Sequence, residues 1–197
     1  MAQALAHDVL GFVRLVFSSE LCNRTPYNGL ISYLLRYAMT GSGVAWELDF
    51  NKVMVSQGSL KPVKVANATV SGNAVNFAWT NNAGSGDALA SDIAIVLAFN
   101  KDDGEAEYVT NAGVRGDGQC QLALPSGWEE ASLAVYLGFR NADTENCADS
   151  LCLINTRAEG SSSGNQSSGS QSSGSNSGSS TGSDGGSGDG DGGELII

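Results

Sequence analysis

"VNFAWTNNAGSGDALASDIAIVLAFN", residues Val75 to Asn100, carries two textures, one on each side of a polar loop. Before the loop, Val75, Phe77 and Trp79 alternate with Asn76 and Ala78, the period of a strand with one buried face. After it, "IAIVLAF" is almost wholly apolar, as a central strand requires. The loop between them holds Asn81, Asn82, Ser85, Asp87 and Asp92, whose oxygens are of the kind Ca²⁺ accepts. It has no EF-hand spacing, and no Glu stands where a bidentate ligand belongs. Gly84 and Gly86 permit positive φ, and the Asn and Asp side chains close turns on the backbone. The stretch therefore reads as a connection between strands, with no chemistry of its own.

Working outward, "ELDFNKVMVS" alternates with Leu48, Phe50, Val53 and Val55 as core candidates. A slip of phase near Lys52 predicts a bulge. "KPVKVANATV" is a further extended stretch, with Pro62 suited to an edge or a strand start. "EAEYVT", "GQCQLALP", "SLAVYLGFR" and "SLCLIN" follow, separated by Gly, Asn and Asp. In the third of these, Val135, Leu137 and Phe139 face one way and Tyr136 the other. Short strands at this spacing predict a mainly β, antiparallel sandwich.

Upstream the period is helical. Leu5, Val9, Leu10, Phe12, Val13, Val16 and Phe17 cover more than one face of a first helix. "LISYLLRYAM" puts Leu30, Ile31, Leu34, Leu35 and Ala38 on one side of a second, which "TGSG" ends with Gly41 as C-cap. The expected organisation is a helical lead-in over 1–43, a β-sandwich domain over 44–157 and a tail over 158–197.

From Gly160 the tail is Gly, Ser, Asn, Gln, Thr, Asp and Glu until Leu195, Ile196 and Ile197. A segment that buries so little cannot offset its ordering entropy and is expected to be disordered. Those three terminal apolar residues, on a long solvated leash, are a candidate docking peptide for a sheet edge.

The net charge is −11, and removing the tail's Glu159, Asp184, Asp189, Asp191 and Glu194 leaves −6 for the body. Lys and Arg form no cluster, so a phosphate backbone is repelled and nucleic acid is not an expected partner. No stretch is long enough to span a membrane. "MAQALAHDVLGFVRLVFSSE" lacks a basic n-region and is interrupted by Asp8 and Arg14, so the chain as written is expected to be cytoplasmic.

Cys22, Cys120, Cys147 and Cys152 are then expected to be reduced, small and buried. The "CADSLC" spacing is a poor zinc motif, and His7 is the lone histidine. "RGD" at Arg115–Asp117 matches an adhesion tripeptide, yet "NAGVRGDGQ" is also what a hairpin loop needs. "GGSGDGDGG" resembles a calcium-binding glycine repeat but occurs once, with Gly190 at the aspartate position, so it reads as linker. Asp102 and Asp103, and Glu129 and Glu130, fall in turns. No nucleophile–base set and no nucleotide fingerprint is present in the sequence, and no cofactor or metal is expected.

Several stretches, "DFNKVMVSQGSL", "FAWTNNAGSGDALASD", "VLAFN", "EAEYVT", "LALP" and "YLGFRNAD", occur in this order in an uncharacterised bacterial family known only as a domain of unknown function. "RTPYNGLISYLLRYAMTGSG" resembles that family's helical part. The resemblance runs from about Leu10 to Leu153. It implies a helical lead-in followed by a sandwich similar to fibronectin type III or immunoglobulin domains. It assigns no activity and carries over no catalytic residue. Members of the family begin with a further basic, glycine-containing segment, where this chain opens almost directly in its first helix. The functional expectation is a non-enzymatic interaction or structural module, with a protein partner or self-association. The alternatives are a structural subunit of a surface or virion-like assembly, and a small carboxylate-dependent hydrolase.

Overall fold

What covers the two faces of the apolar run after the loop determines the architecture. The computed structural model describes residues 2–16, 25–144 and 146–155, all within one compact unit, Met1–Gly160. Its strands are β1 (Met39–Ser42), β2 (Ala45–Leu48), β3 (Ala66–Val70), β4 (Ala74–Trp79), β5 (Ile93–Asn100), β6 (Glu105–Val109), β7 (Gln119–Ala123), β8 (Leu133–Arg140) and β9 (Leu151–Asn155). A three-stranded sheet runs β3-β4-β7 and a four-stranded sheet runs β6-β5-β8-β9, every ladder antiparallel. β1 and β2 form a separate hairpin.

On one face of the four-stranded sheet, Ala94, Val96 and Ala98 of β5 and Val135, Leu137 and Phe139 of β8 meet Val75, Phe77 and Trp79 of β4. This is the sandwich core, in the phase that the alternation predicts. On the other face, Ile95, Leu97, Phe99 and Tyr136 meet Leu5, Val9, Phe12, Val13, Leu30 and Leu34 of the helices. β5 is therefore apolar from Ile93 to Phe99 because both of its faces are covered. Each fully buried Leu or Phe adds about 1.5–3 kcal/mol. The helices form a third layer.

The first expected helix is two short ones, α1 (Ala2–Asp8) and α2 (Leu10–Val16), bonded through Val9. Its apolar residues wrap more than one face because they fill a space between sheet and neighbouring helix. The second, α3 (Pro26–Tyr33), starts with Thr25 accepting from the Asn28 amide and Pro at the first turn.

Several expectations need correction here. α3 gives way to a π-helical turn, Leu34–Ala38, whose extra residue per turn keeps Leu34 and Ala38 inside and turns Leu35 outward. Gly41 is not a helix C-cap, because the chain is already extended at Met39. It lies in β1 with φ +123, where a Cβ would collide with the Ala45 carbonyl across the hairpin. The Gly43–Val44 boundary falls in the two-residue turn of that hairpin, with Gly43 at φ +63. The phase slip near Lys52 is a 3₁₀ turn, Phe50–Lys52, and not a bulge. Asp49 initiates it by accepting from the Asn51 amide at 3.1 Å. The extended stretch around Pro62 enters a strand only at Ala66.

The tail, including Leu195, Ile196 and Ile197, lies outside the described residues, as do Phe17 and Cys22. No helix among the described residues is long and apolar enough to cross a membrane.

Candidate functional site

The β4–β5 loop and the Arg115 turn are locked together. β6 belongs to one sheet and β7 to the other, so "NAGVRGDGQ" crosses between sheets and is not a hairpin loop. Its Arg115–Asp117 segment is a 3₁₀ turn, and Arg115 is fully buried. The Arg115 guanidinium donates to Asp92 at 3.0 Å, to Asn82 at 2.7 Å and to the Lys61 carbonyl at 3.0 Å. It also lies 4.2 Å over the Phe139 ring. The Arg115 carbonyl accepts the Trp79 indole N–H at 2.9 Å. Asp92 further accepts from the Leu89 amide and from Asn141.

Burial lowers the Arg115 pKa from its ordinary value, and the neighbouring Asp92 opposes that shift. Two further loop side chains are engaged as well. Asn81 accepts from the Ala83 amide and Asp87 from the Lys61 amide, both at 2.9 Å. The loop therefore does more than connect strands, since together with Arg115 it plugs one end of the sandwich. A buried ion pair with all three guanidinium nitrogens engaged is a structural device. An adhesion role would need Arg115 on the surface.

The groups with room around them lie elsewhere. The hairpin is largely exposed, with β2 exposed until Leu48. Trp46 pairs with Gly41 and is 57% exposed. The chain then turns at Asp49–Lys52, where the Phe50 carbonyl accepts the buried Tyr136 hydroxyl at 2.9 Å and the Phe50 ring stacks on Phe99. Between this turn, the β5–β6 turn, Ala131 and the end of β9 lies an open groove of about 680 Å³. Leu48 and Phe50 are its buried apolar members, and Thr40, Trp46, Glu47 and Asn51 stand along the hairpin side.

Lys101, Asp102 and Asn155 form the opposite side. The Lys101 ammonium donates to Asn155 at 3.4 Å and sits 5.9 Å from the centre of the Phe50 ring. Desolvation lowers its pKa from the ordinary lysine value, outweighing the pull of Asp102. Asp102 accepts the Ser132 hydroxyl, and Asn100 caps the Asp102 amide at 3.0 Å. Asp49 is paired with Lys52 at 3.1 Å.

Residues 3–154 match the family of unknown function DUF6266. The chain belongs to that family. The matched span takes in the Arg115 plug and every groove residue except Asn155. Comparison with curated proteins and with solved structures gives no match for this DUF6266 chain. Among its described residues, no three His, Cys, Asp or Glu side chains converge on a point where a metal ion fits.

The three described cysteines of the DUF6266 domain are free thiols. Burial pushes Cys120 up to about 12 and Cys152 up to about 11. Such thiols are poor nucleophiles and poor metal ligands at neutral pH. Asp102, Asp103, Glu129 and Glu130 sit in or beside turns, and of these Asp102 alone reaches the groove. The groove itself is not evident from the sequence. Trp46 shares the phase of Leu48 and Phe50, so alternation alone assigns it to the core.

Proposed function

We propose that this chain is a non-enzymatic binding module whose ligand-facing surface is the Trp46 groove. The observation that carries the reading is a half-exposed indole standing in an open groove whose polar walls are already held in place. Large aromatic side chains at open sites dominate recognition energies. Walls held by the Lys101–Asn155, Asp102–Ser132 and Asp49–Lys52 contacts lose little entropy when a ligand arrives. The same contacts weigh against the hydrolase alternative, because an acid/base pair needs carboxylates that face a reacting atom.

The test is affinity capture from native lysate on three baits: the wild type, Trp46→Ala, and Val65→Ala as an exposed apolar control outside the groove. The expected result is a bound species lost only with Trp46→Ala. Identical capture on all three baits would place the binding surface elsewhere.

One observation favours the assembly alternative. The outward face of the three-stranded sheet carries Asn67, Thr69, Asn76, Gln119 and Gln121, with no charged residue at the positions paired in its ladders. Gln121 donates to Asn76 across two of its strands at 2.8 Å. On a chain of net charge −11, an uncharged face removes the like-charge repulsion that keeps two copies apart. Sedimentation velocity of the wild type and of Gln121→Lys reads it directly, because assembly through this face requires a larger species that the added charge disperses.

A further inference from the structure

Resting on the groove as the binding surface, we infer that its occupant is a neutral oligosaccharide, stacked by a sugar ring on Trp46 and hydrogen-bonded to the groove's amide and hydroxyl groups.

Three properties of the groove carry this. The first is the mixture of signs. Lys101 stands in the same groove as Glu47, Asp49 and Asp102. A cationic segment would meet the Lys101 ammonium, and an anionic one would meet the carboxylates. Asp49 is paired with Lys52 inside the chain, and Asp102 and Lys101 are hydrogen-bonded to Ser132 and Asn155. What such walls offer is directional hydrogen bonding from donors and acceptors alike. A hydroxyl group is both donor and acceptor and fits walls that present both.

The second property is the kind of uncharged group present. Thr40, Asn51 and Asn155 supply one hydroxyl and two carboxamides, and each carboxamide bears both donors and an acceptor. Polyols are read by such groups, where an apolar ligand would strand them.

The third is Trp46. Its indole is half exposed in a groove with a buried apolar side made by Leu48 and Phe50. One face of a pyranose is a sheet of C–H bonds polarised by neighbouring oxygens, and the electron-rich face of an indole attracts it. The groove is also open, and its volume of about 680 Å³ falls in the range of small-ligand sites.

The chain's own tail is a poor competitor. It adds five carboxylates and no cation after Arg157, and it would bring them to a groove that already holds Glu47, Asp49 and Asp102.

The experiment uses the full chain with cellohexaose, maltohexaose, xylohexaose, mannohexaose and chitohexaose as probes, and octalysine as the cationic comparator. Tryptophan fluorescence and calorimetry report binding. The expected result is saturable binding of at least one hexasaccharide, with little change as salt rises. Trp46→Ala should weaken it at least tenfold, and Trp46→Phe should retain part of it. Circular dichroism of Trp46→Ala should match the wild type, since the indole is half exposed.

Binding that survives Trp46→Ala unchanged overturns the inference, as does the absence of binding by every hexasaccharide. Octalysine binding that depends on Trp46 and falls steeply with salt overturns the saccharide while leaving the groove as the binding surface. Capture that ignores Trp46 in the lysate experiment sinks the groove itself, so the two failures are distinguishable.

Discussion

Replacing Arg115 with Met tests the plug at one end of the sandwich. Met keeps much of the length and the apolar stem while removing the charge and all five donors of the guanidinium. Three acceptors lose their partner: Asp92, Asn82 and the Lys61 carbonyl. Asp92 is the costly one, because its carboxylate is fully buried. It retains the Leu89 amide at 2.9 Å and Asn141 at 3.1 Å, which soften the loss without supplying a counter-charge. Breaking a buried pair from one side costs about 3–5 kcal/mol. Against a domain stability of roughly 5–15 kcal/mol, that is a large fraction of the total.

Urea unfolding followed by circular dichroism measures the effect of Arg115→Met as a fall in midpoint at unchanged slope. Adding Asp92→Asn to Arg115→Met should recover part of the loss, because the stranded charge is gone, with a coupling of roughly 1–3 kcal/mol. A loss below about 1 kcal/mol for Arg115→Met would refute the reasoning. So would single losses that simply add in the double variant.

Trp79→Ala removes a buried ring that lies edge-on to Phe139 at 5.3 Å and donates to Arg115, so a loss of about 3–5 kcal/mol is expected in the same assay. Gly58→Ala places a methyl group against the Cys147 carbonyl, where the chain accepts the Leu60 amide. Its backbone must shift, so a loss of roughly 1–3 kcal/mol should appear as a lower melting temperature. For Cys120 and Cys152, folded pKa values of about 12 and about 11 exceed the ordinary thiol value. The unfolded chain therefore releases these protons first. Their contribution to stability is intact below about pH 8.5 and is lost as pH rises through the folded values. In a Cys22→Ser background, folded protein at pH 8 should react with a thiol-specific dye far more slowly than urea-unfolded protein.

The sandwich was legible because its signals are local. Val75, Phe77 and Trp79 alternate, and the run from Ile93 to Phe99 announces a strand with no solvent face. What covers the second face of that strand was not legible, because Leu97 meets α1 and α2 across some eighty residues of sequence. Arg115 reads as a surface loop residue because Gly and Asp surround it. Its burial depends on Asp92, Asn82 and Lys61, which only the fold brings together. Trp46 shares the phase of Leu48 and Phe50 and yet stands exposed, for a physical reason. A period of two says which side a residue faces, but it does not say how far a hairpin extends beyond the core it belongs to. The π-helical turn at Leu34–Ala38 is similarly silent in the sequence, since it changes the phase of Leu35 without a Pro or Gly to mark it.

The central claim is that the chain binds through the Trp46 groove and not through its loop-rich end. Its most direct test is the ¹H–¹⁵N spectrum of the full chain titrated with the hexasaccharides. The indole N–H of Trp46 and the amides of Asn51, Lys101 and Asn155 should shift together and saturate. The indole N–H of Trp79, bonded to Arg115 inside the plug, should stay where it is. Shifts confined to residues 80–92 or to the outward face of β3, β4 and β7, with Trp46 unmoved, would contradict the account.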